Sequence, residues 1–115
     1  MVGMQTPFAV LELALDVLGR LRPVLEFIRA RDRDLADQLR RSASSIALNL
    51  AESNGSDSGN RRARLRTALG STQETRAALR VAQAWQYLSR SQVDPLEADL
   101  DRVAAMTFRL LHPRR

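Results

Sequence analysis

The chain has no cysteine, no lysine and a single histidine, His112. Without a thiol there is no disulfide, no thiolate nucleophile and no thiolate metal site. One histidine beside Pro113, close to the C-terminus, supplies neither a paired metal site nor a well-positioned general base. Aromatic residues are scarce: Phe8, Phe27, Trp85, Tyr87 and Phe108 are the only ones. The core must therefore be aliphatic, as in helix bundles, with Trp85 and Tyr87 expected to pack at the end of a helix. The same scarcity argues against recognition of nucleic-acid bases by stacking. No apolar run approaches the roughly 20 residues needed to cross a membrane. The N-terminus lacks the charged region, apolar stretch and cleavage site of a signal peptide, so the expected compartment is the cytoplasm. No stretch alternates with period two, so no strands are expected.

Other kinds of chemistry are missing as well. No Gly-x-Ser-x-Gly or Ser-x-x-Lys activates a serine, and no Glu-x-x-His pair prepares a di-metal bundle. Asp32-Arg-Asp34 lacks the glycine and distal glutamate of a calcium loop. The run Ser53-Asn-Gly-Ser-Asp-Ser-Gly-Asn60 is rich in glycine and serine. It has neither the spacing nor the Gly-Lys-Ser/Thr of a phosphate-binding loop and reads as a flexible connection. The expectation is a protein that is not an enzyme, with no catalytic residue, no cofactor and no metal.

What remains is helical. At 115 residues and 44% hydrophobic content the sequence reads as one domain, residues 1–115, with a modest core. Helices are expected at about 7–29, 34–53, 60–88 and 92–111. The first starts with Thr6 as cap and Pro7 at its first position, and Pro23 must kink, break or restart it. Asp32 or Asp34 caps the second and Gly55 ends it. Ser58 or Asn60 caps the third. Ser91 or Asp94 caps the fourth, with Pro95 in its first turn. Four amphipathic helices on short connections imply an all-α, antiparallel up-down-up-down four-helix bundle.

Within this frame Asp37 to Glu52 is the most informative stretch. Leu39, Ala43, Ile46 and Leu50 form an apolar stripe with bundle spacing. Gln38, Ser42, Ser45, Asn49 and Glu52 repeat that spacing one position earlier and are all polar. The third helix carries a matching small stripe: Ala68, Ser71, Thr75, Ala78 and Ala82. Gly70 sits beside it, at a helix-interior cost of roughly 1 kcal/mol. The two stripes are expected to face each other, with Ser45, Asn49 and Ser71 hydrogen-bonded across the contact. A second backbone approaching Gly70 would account for that glycine. Glu52 and Glu74, beside these stripes, are expected to hold arginines across an interface.

Charge is the second signal. All 18 basic residues are arginine, for a net charge of +5. A GC-rich coding sequence also yields arginine without lysine, but it does not explain their placement. Between Arg61 and Arg90 there are seven arginines and one acid, Glu74, a local charge of +6. Arg61, Arg62, Arg64 and Arg66 crowd the start of the third helix, where the dipole disfavours cations. Guanidinium groups at a helix N-terminus suit phosphate oxygens. RNA or DNA backbone is the expected ligand, with Arg40 and Arg41 as further candidates. The alternative is a scaffold for a protein partner whose arginines only solubilise it.

Three stretches carry a resemblance: Gln38-Leu-Arg-Arg-Ser-Ala-Ser-Ser-Ile46, Asn49-Leu-Ala-Glu52 and Ala68-Leu-Gly-Ser-Thr-Gln-Glu74. With Tyr87-Leu88 ahead of the last helix, the chain resembles the bacterial four-helix-bundle family of ribosomal-RNA intervening-sequence proteins. It departs at Ser53, where the family usually has glycine, and at 63–65, where aromatic residues are common. The resemblance implies a homo-oligomeric ring, with pentamers expected. It also implies a distant likeness to accessory proteins of diversity-generating retroelements, basic pentameric barrels that contact reverse transcriptase and nucleic acid. It implies no reaction.

Overall fold

A computed structural model describes residues 7–113, so Thr6 and its expected cap lie outside the described residues. The helices are α1 Pro7–Arg29, α2 Arg33–Asn54, α3 Ser58–Ala84 and α4 Arg90–Leu111. α1 packs on α2, α2 on α3, α3 on α4, and α4 closes back on α1. That cycle of neighbours, joined by short turns, is the antiparallel up-down-up-down bundle.

Each helix forms because its apolar residues fall on one side. Val10, Ala14, Val17, Leu21 and Ile28 are the inner face of α1, and Leu39, Ala43, Ile46 and Leu50 that of α2. Leu65, Ala68, Leu79 and Ala82 line α3, and Val93, Leu96, Leu100 and Val103 line α4. The core is aliphatic to the point that, among the described residues, none of its fully buried side chains is aromatic. Trp85 is 66% exposed rather than packed, and Tyr87 is half-buried. Among the described residues five buried polar ones also enter the core: Ser42, Ser53, Thr72, Thr75 and Thr107. Each returns its hydroxyl to a carbonyl three or four residues back in its own helix. They are thereby satisfied locally and pack as small side chains. Ser53 is fully buried, so only a small side chain fits there.

The helix ends differ from expectation in four places. Pro23 neither ends nor restarts α1, which runs through it. The carbonyl it leaves unpaired belongs to Gly19, and both residues are exposed, so water can take the bond. α3 begins with Asp57 as cap, its carboxylate accepting from the Asn60 N–H at 3.0 Å. A capping acid ahead of four arginines offsets their unfavourable position on the dipole. α3 stops at Ala84, not Leu88. Gln86 takes a left-handed φ of 65°, its N–H reaches the Gln83 carbonyl, and the Tyr87 N–H reaches that of Ala82. This pair of bonds is the Schellman closure, with glutamine where glycine is usual. α4 starts after Ser89, through a capping box with Gln92, which puts Pro95 in the second turn.

The remaining boundaries hold the bundle together end to end. Asp32 caps α2 through the Leu35 N–H and accepts from the Tyr87 hydroxyl at 3.1 Å. The two turns at that end are thus tied to each other. Along the sides, Arg29 pairs with Asp37 at 2.7 Å and Arg20 bridges α1 to Asp99 of α4. Arg76 gives Nε and Nη2 to one oxygen of Glu97, joining α3 to α4.

Candidate nucleic-acid interface

The seam between α2 and α3 is built from small polar side chains. At its buried end the Thr75 hydroxyl lies 2.9 Å from Ser42 Oγ. One turn along, Ser45 Oγ and Ser71 Oγ are 2.7 Å apart. Asn49 then donates to Ser45 Oγ and to the Ser45 carbonyl. At the solvent end Arg64 Nη1 donates to Asn49 Oδ1 at 3.5 Å, and its Nε lies 3.0 Å from Glu52. Small residues permit this because the helices approach closely enough for hydroxyls to meet. The polar ladder therefore runs from the core out to a charged group.

Outside that ladder lies an open groove of about 420 Å³. Arg40, Arg41 and Arg64 edge it, Glu52 is its one acid, and Ser44, Ser45, Leu48 and Asn49 form its floor. Arg40 and Arg41 are exposed and form no ion pair among the described residues. Their charge is felt at Asp37. That carboxyl is held below its usual value, first by its hydrogen bond to Arg29 and then by nearby guanidinium charge. Three cations against one acid leave the groove net positive. Leu48, 63% exposed, gives it an apolar centre.

The four arginines that open α3 do not form one cluster. Helical spacing sends them around the cylinder. Arg64 faces α2, while Arg62 turns to α4 and donates to the Leu111 carbonyl at 2.8 Å. Arg66 follows one turn after Arg62 on the same side. Neither Arg61 nor Arg66 has an ion pair among the described residues. The structure thus unites Arg40 and Arg41 with Arg64, Ser45, Asn49 and Glu52, and separates Arg62 and Arg66 from them. Ser42 and Ser71 support the groove from beneath. Glu74 is exposed, with no arginine paired to it among the described residues. Gly70 is exposed too, and a methyl group on its Cα would meet nothing within 4 Å. Within the bundle neither makes the contact that the sequence suggests. Sequence reasoning does not find Leu48 as a groove residue. Its one signal is its place opposite the Leu39–Ile46 stripe, where a leucine on a surface helix stands out.

Among the described residues no three metal-ligating side chains converge, and no helix is long and apolar enough to cross a membrane. The groove offers guanidinium donors, hydroxyls and an amide, a set suited to binding oxygen-rich anions.

No curated protein matches the chain in sequence. In fold it is similar to a protein of unknown function from the S23 ribosomal protein family of Bacteroides thetaiotaomicron. The TM-score is 0.84 at 20% identity, covering 90% of this chain and 98% of that one. At this identity the likeness bears on the fold alone. In sequence, residues 9–109 match the model of the 23S rRNA-intervening sequence protein family, and to that family the chain belongs.

Proposed function

We propose that the protein is a non-enzymatic, homo-oligomeric helical bundle that binds the backbone of RNA or DNA as an accessory protein. The observation that carries this reading is the convergence of Arg40, Arg41 and Arg64 on one groove. Among the described residues, Arg40 and Arg41 have no carboxylate within ion-pair distance. Paired arginines hold a surface together; unpaired ones beside hydroxyls and an amide are ready for phosphate. A family named for sequences that intervene in 23S rRNA favours RNA as the first ligand to try.

Titration with single-stranded RNA and DNA at rising salt tests the proposal. Binding should weaken steeply with salt and show little sequence preference. For three phosphate contacts per protomer the slope of log K against log salt is roughly −2. The triple variant Arg40→Ala/Arg41→Ala/Arg64→Ala should flatten most of it. Absence of binding even at low salt rejects the reading.

A second reading has its own support. Val81 and Trp85 lie one turn apart at the end of α3 and are 42% and 66% exposed. Exposed tryptophan beside an aliphatic residue is the composition of a protein contact. A protein partner retained after nuclease treatment, and by the triple variant, would separate this scaffold role from the first.

A further inference from the structure

Arg62 and Arg66, turned away from α2, lie on the side of α3 that faces a different groove. On α3, Arg62, Arg66, Leu69, Gln73 and Arg76 follow at four- and three-residue steps, which places them along the edge facing α4. Arg62 reaches the last carbonyl of α4, and Leu69, Gln73 and Arg76 line a cleft of about 330 Å³ against that helix. Ala104 and Ala105 supply a flat floor from α4, with Phe108 and Arg109 at its end. Asp101, the acid in this cleft, is already held by Arg76 at 3.4 Å.

Phe108 is the unusual member. It is 52% exposed on a helix whose inner face is otherwise well covered. Its ring lies 4.4 Å from the His112 imidazole, one turn on, with the planes inclined at 47°. Two adjoining rings at the surface, with Arg109 in the same cleft and Arg62 bonded to the carbonyl just before His112, combine the two features that hold unpaired nucleotides. Rings stack on bases whatever their identity, and guanidinium groups take the flanking phosphates. A duplex does not offer its base faces, so this chemistry selects a single strand. Scarce aromatics argue against stacking along a whole strand, but the adjoining rings of Phe108 and of His112, just past the end of α4, are enough for one base.

We propose that the α3–α4 groove is a single-strand contact. One unpaired base stacks on Phe108 beside His112, and its neighbouring phosphates lie on Arg62 and Arg66. The proposal rests on the nucleic-acid reading above and adds to it a preference for single strands and a second face of the bundle.

The protein and its Phe108→Ala variant would be titrated with a short oligoadenylate, an abasic strand of equal length and a duplex. Phe108 is exposed, so the variant keeps its core. It should bind oligoadenylate about tenfold more weakly, and the abasic strand and duplex as the parent does. A second variant, Phe108→Trp in a Trp85→Phe background, reports stacking directly. Its fluorescence should be quenched by oligoadenylate and not by the abasic strand. If the parent binds with salt sensitivity but Phe108→Ala changes nothing and no quenching appears, this inference is wrong and the α2–α3 groove stands. A parent that binds no nucleic acid removes both. If Phe108→Ala changes the oligomeric mass while its affinity for oligoadenylate is kept, the groove belongs to a second copy of the chain, which also overturns the inference.

Discussion

Gln86 shows how much a single residue is asked to do at a helix end. Its φ of 65° is a conformation that costs an L-residue roughly 1–2 kcal/mol and glycine almost nothing. The turn needs it, because the bonds from Gln86 and Tyr87 back to Gln83 and Ala82 redirect the chain into α4. Gln86→Gly should therefore raise stability, by about 1 kcal/mol, without altering the fold. Chemical denaturation would read this as a higher midpoint at unchanged slope. An unchanged or lower midpoint would mean that the glutamine side chain contributes something the backbone argument omits. The same residue explains why the end of α3 is hard to read from sequence. Without glycine to mark the stop, the helical spacing continues to Leu88, and Leu88 is buried for tertiary reasons rather than helical ones.

At the scale of elements, the inner faces are legible in the sequence and the boundaries less so. The stripe from Leu39 to Leu50 is periodic and lies wholly inside, because burial selects residue type strongly. The Ser45–Ser71 meeting is legible too, since two small polar stripes on adjacent helices have few other uses. The cap of α3 is displaced because Asp57, Ser58 and Asn60 are all good caps and only local geometry chooses among them. The scatter of the four arginines follows from helical phase, which a count of basic residues ignores. One link between elements has a pH signature. Burial, and then the hydrogen bond to Asp32, push the Tyr87 hydroxyl above its usual value of 10.0. The folded state thus favours the neutral phenol. This contribution is fully present below about pH 10 and is lost as pH rises through the folded value. Tyr87→Phe should lower stability at neutral pH and show a shallower alkaline decline than the parent. Parallel declines of the two proteins above pH 10 would show that the Tyr87–Asp32 bond does not couple the turns.

At the scale of the whole molecule, the bundle leaves one face unexplained. Ala63, Thr67, Gly70, Glu74, Ala77, Val81 and Ala84 repeat at four- and three-residue steps along α3, and all are exposed. A solvent face of a helix ordinarily carries charge, yet this stripe has a single acid. A glycine in mid-helix costs about 1 kcal/mol, and nothing among the described residues crowds Gly70. Both facts are accounted for if a helix of another copy packs against this face, since small residues at heptad spacing admit a close backbone. A closed ring of such contacts would repeat the net charge of +5 around an axis and present the α2–α3 grooves as one basic surface. Light scattering should then give a mass several times 12.9 kDa, with five copies expected from the family resemblance. Gly70→Arg with Ala77→Arg should dissociate it into folded monomers, seen as unchanged helical circular dichroism at a lower mass. A monomeric parent at micromolar concentration would reject the assembly. An intact oligomer in the double variant would move the interface elsewhere, and the exposed Leu48 at the centre of the α2–α3 groove would be the next face to test.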